Sequence, residues 1–365
     1  MTETTPPAFE DDFARDVWSV LGVPIDRVTL DGAADRVETC ALERRRLSFV
    51  TPNVNWLVRA LRDPVARAQV IDADLSLADG APVVILANQL GARLPGRVAG
   101  SDLFNVLRDR TPKVRALKVF FFGGRPGAAD AAAETLSKTG VGLTACGAFN
   151  PGHGDVDSMS TPEILDRINA TEPDFVLVSL GAAKGQAWIT ANQNKLSAPI
   201  LAHLGAVVDF VAGTISRAPS WMAKSGLEWV YRIIAEPSLY NRYFDDGLDL
   251  LRLAATRLPA AKAAAAVQAA PDLDADFKGG VVHLSGAGER RALAPLRTAF
   301  REAATAEGDV VLNVSQLIGA DAALIGQVLM LERALSRQGR ALSVRGLDAR
   351  LSGLFDAHAL PYRRD

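Results

Sequence analysis

A carboxylate placed just past a strand is the first residue in this sequence that could do chemistry. Asp79 lies in Leu77-Ala78-Asp79-Gly80-Ala81-Pro82, after an extended run and before a glycine that permits a sharp turn. There it can take a proton from an attacking hydroxyl, or it can cap the helix that follows. Thr51 and Asn53 stand just beyond the apolar run RLSFV (46–50), and Asn53 is well placed as an N-cap. Arg97, in GRVAGSDL (96–103), has either a bound anion or the nearby Asp102 as its partner. Gly123 and Gly124, in FFGGRPG, follow a strand and precede a helix, where bare backbone N–H groups bind anions; a plain tight turn accounts for them equally. They form neither GxGxxG nor a Walker loop, so dinucleotide and P-loop chemistry is not supported. His153-Gly154-Asp155 with Asp157 has metal-binding residue types but sits in a Gly/Pro-rich stretch, where a solvated loop is expected. Asp72-Ala73-Asp74 matches a DxD pattern only by count, because it precedes a strand instead of ending one. With four histidines in the chain, no Ser-His-Asp or Cys-His pairing presents itself.

The elements that must position these residues read as an α/β fold. RLSFV (46–50), KVFFFGG (118–124), DFVLVSLG (174–181) and PILAHLG (199–205) are apolar runs bounded by Gly or Pro, as expected of strands buried on both faces. Helical patterns at 54–61, 101–110 and 128–138 separate them. This alternation predicts a Rossmann-like, mostly parallel sheet with helices on both faces and ligands at the carboxyl ends of the strands. Thr51–Asn53, Gly123–Gly124, Gly181 and Gly205 all fall at such ends.

Residues 1–15 read as a disordered acidic tail, 16–257 as the main domain and 258–271 as an Ala-rich linker whose Ala run has helical propensity. A second α/β unit, 272–365, then runs strand, strand, helix, strand, helix. With its own apolar strands, it is expected to fold separately, with few contacts to the first unit. A chain ending near Ala260 would then stay soluble and active.

At 365 residues and 48% hydrophobic content the chain can bury a large core, and a formal charge of −2 offers nucleic acid no global attraction. Cys40 and Cys146 form no disulfide framework, which fits a reducing cytoplasm. The N-terminus is unlike a signal peptide, and no run of eighteen apolar residues spans a membrane, so any membrane contact is expected to be peripheral.

Residues 217–244, RAPSWMAKSGLEWVYRIIAEPSLYNRYF, hold three of the four tyrosines, two of the five tryptophans and three arginines. Leu227, Val230, Tyr231 and Ile234 recur at helical spacing. Aromatics beside arginine suit a lipid headgroup layer; a core helix with a basic outer face is the competing reading. RAP, GLEW, YR and EP followed by RY, in that order, resemble the C-terminal signature of the WecG/TagA/CpsF glycosyltransferases, glycosyltransferase family 26. LGVPIDRVTL (21–30), TPNVNWLVRA (51–60), LADG (77–80), GRVAGSDL, FFGG, LGAAKGQAW (180–188) and HLGAVVDFVAG (203–213) precede it in family order, so the resemblance covers roughly 16–245. Residues 272–362 resemble a STAS domain through NVSQLIGADAALIG and the helix after it.

The resemblance implies an inverting, metal-independent transferase without a cofactor. It would move a sugar from a UDP-sugar to a polyprenyl-diphosphate-linked saccharide at the inner membrane face, in surface polysaccharide assembly. It makes Asp79 the general base, Thr51 and Asn53 the lining of the sugar pocket, and Arg97 a phosphate-facing residue. Asp209 would contact the nucleotide, and Arg232 and Arg242 a diphosphate, with residues 217–245 facing the acceptor and an anionic membrane. The family usually carries G-x-P-K-Q-E where this chain has Gly181-Ala182-Ala183-Lys184-Gly185-Gln186; an amide survives at Gln186, one residue later. Leu239 stands where many members have arginine. That altered loop motivates the alternative of a degenerate transferase fold kept as a scaffold. In the STAS-like unit Asp321 is followed by Ala322 and Ala323, which cannot accept phosphate, so the unit reads as a docking module with a protein partner of its own. A nicotinamide-dependent oxidoreductase shares the sheet type but lacks its glycine fingerprint.

Overall fold

The structure, a computed structural model, describes residues 11–214, 222, 231, 233–234, 240–265, 271–288 and 293–360. Two short strands come first, β1 (Val17–Val20) and β2 (Val23–Asp26), an antiparallel hairpin that stands apart from the main sheet. The main sheet contains β3 (Leu47–Val50), β4 (Leu75–Ser76), β5 (Leu117–Gly123), β6 (Leu143–Phe149), β7 (Phe175–Ser179) and β8 (Ile200–His203). Their order is β4-β3-β8-β7-β5-β6 and every neighbouring pair is parallel. The connecting helices are α1 (Leu30–Leu42), α2 (Val54–Arg62), α3 (Pro64–Ile71), α4 (Ala81–Gln89), α5 (Gly100–Asp109), α6 (Ala128–Thr139), α7 (Pro162–Asn169), α8 (Ala182–Asn192) and α9 (Val207–Val211).

Strand alternation explains how the sheet is covered. Along β5, Val119 and Phe121 pack with α1, α5, α6 and α9, whereas Phe120 and Phe122 point to the other face, against α7 and α8. There Phe122 stacks on Trp188 of α8 with ring centroids 4.3 Å apart. Local chemistry sets the helix starts: Thr29 caps α1, Asn53 caps α2, and Asp63 caps α3 with Pro64 in its first turn.

After α10 (Tyr240–Ala265), the second unit forms a four-stranded sheet of β9 (Asp274–Lys278), β10 (Val281–Gly288), β11 (Val310–Ala320) and β12 (Leu342–Arg345). It carries α11 (Ala294–Thr305), α12 (Ala322–Ser336) and α13 (Ala349–Ala357). Only β9 runs antiparallel to its neighbour.

The expectation of few contacts between the units is not met. One hydrophobic core joins Val17, Trp18, Leu21 and Ile25 of the first hairpin to Leu324, Ile325, Val328, Leu329 and Phe355 of the second unit. The unit was read as a docking module for an outside partner, yet its apolar helix α12 is buried against the first unit of the same chain. Arg333 on α12 reaches Asp12 and Asp74, Arg67 forms a two-point bond to Glu332 at 2.7 and 2.9 Å, and Arg337 meets Asp72 at 2.7 Å. The Ala run is helical as its propensity suggests, since α10 continues through residue 265, but it is no loose tether: Ala261 and Ala264 are buried in the shared core.

A second tie between the units is sensitive to pH. His358, fully buried, bonds Ser19 Oγ through Nδ1 at 2.7 Å. Burial, with the Arg257 guanidinium nearby, pushes its pKa down to about 3. The folded value lies below the unfolded value of 6.5, so the unfolded chain takes up the proton first. The neutral ring therefore contributes fully above about pH 6.5, and that stability is lost as pH falls toward 3. Thermal melts should show Tm dropping between pH 6.5 and 4, with a shallower slope for His358→Gln; an unchanged slope would contradict a neutral, buried His358.

Candidate functional site

The carboxyl ends of β3, β7 and β8 open into a cleft of about 360 Å³. Thr51, Asn53, Asp79, Gln186 and Asp209 line it together. Asp79 is carried there by a backbone lattice: Leu77 N–H donates to Val50 O at 2.9 Å, Asp79 N–H to Pro52 O at 3.0 Å, and Val98 N–H to Ala78 O at 2.8 Å. The cap position of α4 belongs to Gly80, at φ 107°, so Asp79 precedes the cap. Asn53 does both things expected of it, lining the cleft while its side chain accepts from Trp56 N–H at 3.3 Å.

Three expected residues sit differently. Arg97 is not among the lining residues and bonds Asp102 at 2.6 Å, the ion pair weighed against an anion site. Gly123 and Gly124 lie behind the wall, and the Gly124 N–H donates to Ser179 O at 2.7 Å, so that amide is not open to an anion. The turn instead delivers Arg125, which lines the cleft. Arg232 and the side chain of Arg242 lie outside the described residues, as does most of 217–239. The helix that continues from that segment is nonetheless tied to the cleft rim: Asn55, a lining residue, donates to both carboxylate oxygens of Asp246 on α10 at 3.2 and 3.1 Å.

The cleft is rich in polar groups. Helix α8 begins at its edge, with Gly181 and Ala182 among the lining residues and no side chain capping it. The first-turn amides of a helix have no intrahelical acceptor and favour negative charge. Gln186 is 3% exposed, and its Oε1 has no hydrogen-bond partner among the described residues. His203, at the end of β8, was missed in the sequence because it ends an apolar strand without a partner motif; it too lines the cleft, its Nε2 buried and without a hydrogen-bond partner among the described residues. Burial pushes its pKa from 6.5 down to about 4. The arrangement can therefore take a proton at Asp79, hold an anion near the start of α8 and Arg125, and read neutral polar groups along the α8–β8 wall. Among the described residues no group of three or more His, Cys, Asp or Glu side chains is placed to hold a metal ion.

Residues 18–263 match the family described as "Glycosyl transferase WecG/TagA/CpsF family", and residues 272–360 match "Mlab, STAS domain". The chain is 31% identical over 214 residues to the N-acetylglucosaminyldiphosphoundecaprenol N-acetyl-beta-D-mannosaminyltransferase of Bacillus spizizenii, covering 58% of this chain and 81% of that one. It is 25% identical over 219 residues to the enzyme of the same name from Staphylococcus aureus strain NCTC 8325, covering 60% of this chain and 84% of the other.

Proposed function

The chain belongs to the WecG/TagA/CpsF glycosyl transferase family, and on that footing we propose that it moves a sugar from a UDP-sugar to a polyprenyl-diphosphate-linked saccharide, with inversion and without a metal, in surface polysaccharide assembly. The observation that carries this reading is one cleft that joins a strand-end carboxylate, Asp79, to an uncapped helix N-terminus at Gly181–Ala182. In the reaction the acceptor hydroxyl oxygen bonds to the anomeric carbon as its proton passes to Asp79. The bond from that carbon to the diphosphate breaks, and UDP departs with the electron pair. The α8 amides and Arg125 would stabilise the charge on the leaving diphosphate, and Asp209 would meet the nucleoside. Arg232 and Arg242 are assigned to a diphosphate, of donor or acceptor lipid. Arg97 is assigned to holding the N-terminal turn of α5 through Asp102. The relatives are named for transfer to a diphosphoundecaprenol-linked N-acetylglucosamine, which supports an acceptor of that class here.

Such an acceptor lies in a membrane, and no helix among the described residues is long and apolar enough to cross one. Tyr240, Phe244, Leu248 and Leu251 form an exposed apolar stripe along α10, while Leu250, Leu253 and Ala254 face the core. We assign that stripe, with the aromatic segment before it, to peripheral contact with the inner leaflet. The test is transfer from UDP-sugars to a polyprenyl-diphosphate-linked N-acetylglucosamine in mixed micelles, followed by mass spectrometry. A product one sugar heavier, formed equally with and without chelator, is expected. No product from any UDP-sugar would favour the scaffold alternative, and loss of product on chelation would refute metal independence.

A further inference from the structure

The wall formed by α8 and β8 contains a fit that the reaction scheme leaves unused. The His203 ring lies against Gly185 on α8 and Gly205 just after β8. A Cβ at Gly185 would stand 2.1 Å from His203 Cδ2 and 2.9 Å from Nε2, and one at Gly205 would stand 3.2 Å from Cε1. Any side chain at 185 would thus displace the ring. Position 185, a departure in the sequence pattern, has a structural counterpart: the volume a side chain would fill there is taken by an imidazole from the neighbouring strand. Beside it in the chain is Gln186, buried and with Oε1 unpartnered among the described residues.

We propose that His203, seated between Gly185 and Gly205, determines sugar specificity: with Gln186 it forms an uncharged donor–acceptor wall that reads a neutral polar substituent, hydroxyl or acetamido, of the transferred sugar. This rests on the transferase reading above. Two buried polar groups without partners among the described residues are costly unless a ligand completes them, and both border the same cleft as Asp79. A neutral imidazole offers one N–H and one lone pair, as an amide offers both roles, so the wall can match a hydroxyl or an acetamido group. It offers no charge to a carboxylate; the anion-holding groups of the cleft, Arg125 and the α8 amides, are assigned to the diphosphate, and Asp79 and Asp209 disfavour a second anion. The class of donor is therefore a neutral hexose or N-acetylhexosamine, not a uronic acid.

Calorimetric binding of UDP, UDP-N-acetylglucosamine, UDP-N-acetylmannosamine and UDP-glucuronic acid to the full chain tests this. At least one neutral UDP-sugar should bind more tightly than UDP, and UDP-glucuronic acid should not. His203→Ala should weaken that UDP-sugar about tenfold, the value of one buried hydrogen bond, while leaving UDP within about twofold. Gly185→Ala, which crowds the ring without touching its chemistry, should do the same, and His203→Gln should recover part of the loss. Equal weakening of UDP and UDP-sugar would place His203 at the nucleotide and overturn the assignment. An unchanged UDP-sugar affinity in a variant with a wild-type melting curve would make the residue purely structural and also overturn it. Absence of any binding of UDP or UDP-sugar by the wild-type chain would instead bring down the transferase reading itself, and this inference with it.

Discussion

A chain ending at Ala265 is expected to be insoluble or molten, with no measurable transfer. The cut would strip the cover from Val17, Trp18, Val20, Leu21 and Ile25, which share one core with α12 and α13. Each large side chain returned to water costs about 1.5–3 kcal/mol, so five approach the whole stability of a typical domain, about 5–15 kcal/mol. The fit is also close at the backbone: a Cβ at Gly326 of α12 would stand 2.3 Å from Val17 O. The ionic cost adds to this. Burial pushes the Asp74 carboxyl up, but the Arg333 and Arg337 guanidiniums and the Ser48 amide outweigh it and hold it below 3.8. The cut also removes Arg333 and Arg337, the guanidiniums that hold Asp74 ionised, so the segment leading into β4 loses its ion pairs along with its apolar cover. Asp74 accepts from Ser48 N–H and Oγ at 2.7 and 3.0 Å, and five residues later the same segment delivers Asp79. The second unit therefore braces the strand that carries the proposed base. Solubility, dye binding to exposed apolar surface and a melting curve would check this; a soluble, cooperatively melting and active truncated chain would refute it. Arg333→Met in the full chain should give a milder version, a Tm lowered by several degrees.

The sequence made some of this legible and concealed the rest for identifiable reasons. Apolar runs bounded by Gly and Pro mark β3, β5, β7 and β8 to within a few residues, because strands buried on both faces need little else. Strand β4, only Leu75–Ser76, is too short to show a period, yet the extended run ending before Gly80 placed Asp79 past a strand, and the resemblance then gave it the role of base. What a local pattern cannot report is partnership over distance. Arg333 lies 321 positions from Asp12 and 259 from Asp74, and no spacing rule connects them. A signal was nevertheless present in α12: Ala322 to Leu331 is buried throughout, and a helix apolar on every side must be covered on every side. Read that way, the unit would not have been expected to fold apart from the first. Gly124 and Arg97 show the opposite limit, since residue types suited to anions had nearer partners in Ser179 O and Asp102. His203 was hidden because its role depends on the absence of a side chain at Gly185, which only the packing of α8 on β8 discloses.

Asp79→Asn is expected to lower kcat about 100-fold or more while leaving UDP-sugar affinity and Tm nearly unchanged. The substitution keeps shape and one hydrogen-bonding oxygen but removes the group that can hold the acceptor's proton. Fold effects should be small because Asp79 is fixed through its backbone, donating N–H to Pro52 O, and because Gly80, not Asp79, occupies the cap position of α4. Turnover, donor binding and melting together separate the roles open to this residue. A base loses turnover alone; a donor contact loses UDP-sugar affinity in proportion; a helix cap loses Tm. Near-normal turnover would sink the assignment of Asp79 as base. The other carboxylate lining the cleft, Asp209, is 8% exposed and held in α9 with Thr214 against its backbone carbonyl, so it would then be the next residue to test.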